Sequence, residues 1–247
     1  MAYWGTMRPA SLVTLLVVAG AGAFLLGRRV APHQAAPEPV DTVTVEASLN
    51  GARDSLRQMR QRLLRAIRER DTYQPTMLAQ GDSGLRRWQA RVADPIRVYL
   101  PEPALRGYSV AMAHAVRNAF ARWERVGDIP VSFLFVPDSS RAEVKVRWIE
   151  SFETERAGEA AIVWNQRGWV LNGTLTLATH THHSRPLSPD AVNTVAMHEI
   201  GHLLGLGHSD DPRDVMFPTT DVHDLTLRDR RTAQLLYAIP PGSLRLP

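Results

Sequence analysis

His198, Glu199, His202 and His208 all fall within the run HEIGHLLGLGH. On a helix, residues four apart project from one face, so the imidazoles of His198 and His202 can grip a single cation. Glu199 lies beside those ligands without having to bind the ion itself. A straight helix would carry His208 away from the same ion. Gly205 resolves this, because glycine adopts a positive φ cheaply and can end the helix and turn the chain back. Three neutral imidazoles leave the fourth corner of a tetrahedral zinc ion open to water, which is the catalytic arrangement and not the structural one. From the chain's own residue frequencies the full HExxHxxGxxH pattern is expected only ~3×10⁻⁵ times per chain, so accident explains it poorly.

A helix must present these ligands, and Ser188-Pro189-Asp190 is a strong start for one: a cap, proline at the first position and an acid in the first turn. Upstream, residues 96–100 (Ile-Arg-Val-Tyr-Leu) alternate like a half-buried strand. Ser109 is a candidate cap for a helix in which Ala113, Val116, Phe120 and Trp123 share a face. Val131–Val136, Val144–Ile149, Ala160–Trp164 and Val170–Ala178 read as further strands, the last two joined by a turn near Gly168. Strands first and the decisive helix late indicate an α+β domain, with a mainly parallel or mixed sheet of about five strands covered by helices.

The whole chain has 247 residues, 44% hydrophobic and 22% charged, which fits one domain with an extra segment and excludes wholesale disorder. It has no cysteine, which removes disulfides, thiolate zinc sites and thiol nucleophiles together and leaves histidine and carboxylates as ligands for a metal. Residues 1–30 read as a membrane anchor or a signal peptide. Residues 9–27 carry no charge, and as a helix would span ~28 Å, close to the hydrocarbon thickness of a bilayer. The competing reading is cleavage after an Ala-Gly-Ala sequence within residues 19–23.

Residues 31–85 read as a Pro- and Ala-rich linker followed by a stalk helix, and residues 86–247 as the catalytic domain. In the stalk, Leu49, Ala52, Leu56, Met59, Leu63 and Ala66 form a heptad-like seam. That seam at 45–70 either packs on the main domain or joins a second copy of the chain. Net charge is +4, nearly all of it from arginine, but no aromatic side chains interleave with the arginines of the stalk, so nucleic acid is not expected as a partner.

Met216, in Asp-Val-Met-Phe-Pro, follows the metal motif. HExxHxxGxxH with a later methionine turn resembles the metzincin metallopeptidases, and more narrowly the matrixins. The resemblance extends to Ser209, to Pro212, to Met216-Phe217-Pro218, and to Leu225-Thr226, Asp229 and Leu236-Tyr237. It is strong over 189–237, extends back to about 86 and is absent before that. It implies a zinc endopeptidase with one catalytic Zn²⁺ on His198, His202 and His208, whose bound water Glu199 activates. Gly205, Met216 and Pro218 would support the site, Met216 as an apolar floor. An extended protein or peptide substrate would add to an edge strand at Ala160, Ile162 and Trp164.

Two departures from the family matter. The matrixin latency segment works through a cysteine, which this chain lacks, and the tyrosine of the specificity-pocket wall is here Thr220. His180, His182 and His183 are candidates for a further structural metal, with a polar loop as the plainer reading; His114 and His223 read as helix and surface histidines. Two arginines, Arg28 and Arg29, follow the apolar stretch and one, Arg8, precedes it. Counted alone they would put the domain in the cytoplasm, but large domains translocate regardless of local charge. The domain is therefore expected outside the cytoplasm, anchored to the membrane through residues 9–27 or secreted. The competing function is a membrane-tethered binding or assembly protein with a vestigial zinc site.

Overall fold

The computed structural model describes residues 42–69, 71–80, 84–126 and 129–243. The uncharged stretch 9–27, with both of its readings, lies outside the described residues. Among the described residues no helix is long and apolar enough to cross a membrane. The chain divides into two units, residues 1–47 and 48–247. Of the first, only residues 42–47 are described, as the opening of helix α1 (Thr42–Glu69).

Within the second unit, α1 exposes Leu49, Leu56 and Met59 (53%, 60% and 67%), and Ala52 is exposed beside them. At these positions the seam does not pack on the domain, which corrects one of its two expected readings. The reason is that the next segment occupies the core instead. Helix α2 (Gln74–Gln80) and strand β1 (Gly84–Leu85) follow α1, and Tyr73 and Leu85 beside and within them are buried. The core therefore reaches back before Arg86, taking in Tyr73 and, at its margin, Met77 and Leu78.

Five strands form the main sheet: β2 (Arg91–Tyr99), β3 (Val131–Phe135), β4 (Val144–Ile149), β5 (Gly158–Trp164) and β6 (Val170–Ala178), in spatial order β3-β2-β4-β6-β5. The β2–β3, β2–β4 and β4–β6 pairs are parallel, and β5 runs antiparallel to β6. Helix α3 (Val110–Glu124) is the crossover between β2 and β3, as a parallel pair requires. Ser109 sits at its N-cap in extended conformation, but its side chain makes no capping bond. Alternation works as the sequence implies: Val144 and Val146 face the core while Lys145 and Arg147 face water. Helices α4 (Pro189–Leu203) and α5 (Leu227–Ala238) complete the domain, and β7 (Gly242–Ser243) pairs antiparallel with β1. The result is the expected α+β architecture with a five-stranded mixed sheet.

Two buried indoles fix α4. Trp123 Nε1 of α3 donates to the Met197 carbonyl at 2.8 Å, and Trp88 Nε1 donates to the Leu203 carbonyl, also at 2.8 Å. Leu203 lies in the last turn, where carbonyls lose their helical partners, so the second bond satisfies a group the helix cannot. Trp88→Phe keeps the apolar ring and removes that donor. Its unfolding free energy, measured by urea titration, is expected to fall by ~1–3 kcal/mol; an unchanged midpoint would show that the indole contributes only packing.

Candidate metal centre

Helix α4 begins as its sequence dictates. Ser188 Oγ accepts from the Ala191 amide at 3.1 Å, Pro189 opens the first turn and Asp190 lies near the positive helix end. At the other end Gly205 takes φ +99°. Its amide bonds to the His202 carbonyl and the Leu206 amide to the Gly201 carbonyl, each at 2.9 Å, which is the paired closure of a glycine-terminated helix. The chain reverses there and brings His208 back. No other residue fits, because a Cβ at 205 would overlap the Arg86 carbonyl oxygen.

His198, His202 and His208 converge, each offering a ligand nitrogen within 4.8 Å of the others. Main-chain carbonyls orient two of the rings. His198 Nδ1 meets the Val215 carbonyl at 2.7 Å, and His202 Nδ1 meets the Leu206 carbonyl at 2.8 Å. A carbonyl only accepts, so the proton of each ring is on Nδ1 and each Nε2 presents a bare lone pair. These two Nε2 atoms lie 3.1 Å apart. Two facing lone pairs need a cation between them, and two nitrogens on a tetrahedral zinc ion would stand ~3.3 Å apart, so the residues fit that metal.

Electrostatics point the same way. Burial lowers the pKa of all three histidines, and that of His202 is pushed down to about 3 by burial and by the neighbouring His198. Neutral imidazole is the form that binds a metal. Glu199 is also buried, and burial pushes its carboxyl up to about 7, with the main chain at Ala160 acting in the opposite direction.

A layer of main-chain contacts lies behind the ligands. Asp229 at the start of α5 is fully buried, and its carboxylate accepts from the amides of Val215 (3.0 Å) and Met216 (3.4 Å), from Thr226 and from the Tyr73 hydroxyl. Val215 is the residue whose carbonyl orients His198. The Ser209 amide donates to the Met216 carbonyl at 2.8 Å, tying the residue after His208 to the same turn. Met216 is fully buried beneath α4, its sulfur filling the space where Gly201 lacks a side chain. Pro218, by contrast, is exposed at the rim of a 620 Å³ recess with Gly158, Val195, His198, Glu199 and Thr220. Thr220 Oγ1 donates to the Asp214 carbonyl at 3.2 Å and supplies no aromatic wall.

Ala160 and Ile162 of the edge strand β5 line a second recess, on the other side of the triad with His202 and His208. Trp164 lies at the end of that strand, 45% exposed, with the Arg86 guanidinium 4.0 Å from its ring centre. His180, His182 and His183 do not assemble a second three-ligand group among the described residues. His180 is buried against Thr179 Oγ1, and His182 Nδ1 contacts the Phe152 carbonyl. His114 is exposed, and His223 contacts Thr194 Oγ1.

A mixed sheet with a glycine-terminated helix, three convergent imidazoles and a methionine turn defines a metallopeptidase-type domain. The family model for matrixins matches residues 105–238, and the chain belongs to the matrixin family. It is 28% identical over 175 residues to metalloendoproteinase 1 of Glycine max, an alignment covering 63% of this chain and 54% of that protein. It is 34% identical over 155 residues to metalloendoproteinase 1-MMP of Arabidopsis thaliana, covering 53% of this chain and 38% of the relative. Karilysin of Tannerella forsythia is 27% identical over 125 residues, covering 42% and 24%. The chain thus spans about half, or less, of the length of these curated relatives.

Gly205→Ala tests whether the helix ending builds the centre. Zinc affinity, measured by competition with a chromophoric chelator, is expected to fall ~10–100-fold, as when support behind a ligand is lost. Native affinity in that variant would mean that His208 reaches the metal without the glycine turn.

Proposed function

We propose that the chain is a zinc-dependent endopeptidase. One observation carries the reading: bare ring nitrogens converge beside a buried carboxylate, next to an open strand edge along which a peptide can lie. Membership of the matrixin family and relatives named metalloendoproteinases support it. An extended substrate would pair with β5 through main-chain hydrogen bonds, past Ala160, Ile162 and Trp164.

His198, His202 and His208 would hold the zinc ion, which when bound would supply Lewis-acid polarisation of the scissile carbonyl and lower the pKa of water towards ~7. Glu199 takes the proton of the attacking water and passes it to the departing amine nitrogen. Its pKa, raised to about 7 by burial, suits both acceptance and donation near neutrality. The Asp229 and Met216 layer holds the rings still while charge develops.

Glu199→Ala is expected to retain one zinc per chain and to lose ~10²–10⁴-fold in cleavage of a quenched peptide library. Wild-type cleavage should stop with a chelator and return with zinc. An undiminished rate in Glu199→Ala removes that residue from the mechanism. Zinc binding without cleavage of any library member makes the chain a tethered binding protein instead.

The uncharged stretch 9–27 supports an extracytoplasmic domain, held by a membrane anchor or released from a signal peptide. A tag at the C-terminus should then be digested by protease added to intact cells, and a protected tag would put the domain inside. The exposed Leu49, Leu56 and Met59 stripe supports pairing of two stalk helices. Sedimentation of the full chain reads this directly, a monomer arguing against it.

A further inference from the structure

The recess beside His202 and His208 has a volume of 410 Å³, and two of its residues, Met77 and Leu78, come from α2, outside the sheet and the metal-binding helix. Met77 lies in contact range of Gly207, immediately before the third histidine. This placement is anchored from both sides. Before it, Tyr73 is fully buried, its hydroxyl 3.2 Å from Asp229 and its amide 3.2 Å from Thr232 Oγ1. Thr76 Oγ1 donates to Asp210 at 3.0 Å, and Asp71 pairs with Arg231 at 3.1 Å. After it, Leu85 pairs with Gly242 in the β1–β7 ladder. The segment that carries these two apolar side chains is held at the recess by contacts that include none of the three histidines.

The direction of a bound peptide follows from the proton path. Glu199 must reach the leaving amine, so the C-terminal half of the substrate occupies the recess that Glu199 and His198 line. The N-terminal half then occupies the recess of His202, His208 and Met77. Gly158 lines the recess of Glu199 while Ala160 lines that of His202 and His208, so the scissile bond, between the two recesses, lies close to level with Ala160. Ile162 is two residues further along β5, or ~7 Å, which is also two residues of an extended peptide lying beside it.

We propose that α2 is the specificity wall for the upstream half of the substrate, with Met77 and Leu78 selecting an apolar side chain two or three residues before the scissile bond. This rests on the peptidase reading above. A thioether and an isobutyl group lining one recess with Ile162 provide dispersion contact for an apolar chain and no partner for an ammonium group.

The test uses the full chain and peptides that differ only at the second or third residue before the scissile bond, with leucine, serine or lysine there. Wild-type kcat/KM is expected to favour leucine over lysine about tenfold at one of the two positions, the size of effect a single apolar contact gives. Met77→Ser and Leu78→Ser, made separately, should each lower that ratio to about threefold or less, while preference at the residue after the scissile bond is unchanged. The same peptides, fluorescently labelled, are titrated against zinc-loaded Glu199→Ala with and without Met77→Ser. This binding arm reports on the wall whether or not cleavage occurs. It should give the same leucine preference, and the same loss when Met77 is replaced. An upstream preference that survives in both serine variants overturns the proposal, as does equal binding of the three peptides by zinc-loaded Glu199→Ala. Absence of cleavage with the binding preference intact refutes the peptidase reading and leaves the wall standing.

Discussion

Nearly everything at the centre depends on the hydrogen bond between His198 Nδ1 and the Val215 carbonyl. It assigns the proton to one side of the ring and so exposes the other nitrogen as a ligand. The Val215 carbonyl cannot drift, because the same residue's amide is held by Asp229, and Asp229 is the buried end of a capping box with Thr226. The first turn of α5 therefore sets the orientation of an imidazole carried by α4. The Tyr73 hydroxyl closes the arrangement from the other side, linking the segment before the sheet to the same carboxylate.

Burial gives this arrangement its chemical value. Removing water disfavours charge, so the histidines remain neutral ligands while the Glu199 carboxyl is pushed up to about 7. The same environment would be hostile to Asp229, whose pKa burial raises, were its oxygens not met by several amide and hydroxyl donors. Low dielectric thus works against charge at both carboxyls, and at Asp229 the surrounding donors offset part of that effect.

Much of this was legible in the sequence. The spacing of His198, Glu199 and His202 is a helical relation, the need for Gly205 follows from bringing His208 back, and the alternation of Val144, Lys145 and Val146 fixes which face of a strand is wet. Such features are local, and short-range periodicity records them. Long-range pairings leave no such trace. Nothing in the run DTYQPTMLAQ announces that Tyr73 will reach Asp229 or that Met77 will lie against Gly207, since both contacts are made by residues far apart in the chain. The heptad seam illustrates the converse: its periodicity correctly indicated a helix, yet the described part of that apolar stripe remains in solvent because other residues had filled the core. Ser109 occupies the cap position its type favours without making the bond, so residue preference located the helix start but not the contact.

The strand that would receive a peptide is also a hazard. The outer edge of β5 presents main-chain donors and acceptors that a neighbouring molecule could zip onto, and repeated head-to-edge addition of this kind is how soluble domains polymerise. The register shift between Val163 and Trp164 interrupts the ladder near its end, and the Arg86 guanidinium stacked on Trp164 places a cation there. A short guest can still be accommodated in the first part of the strand, whereas a long flat partner meets an irregular, charged terminus. The domain can thus keep an edge open for brief encounters without inviting permanent ones.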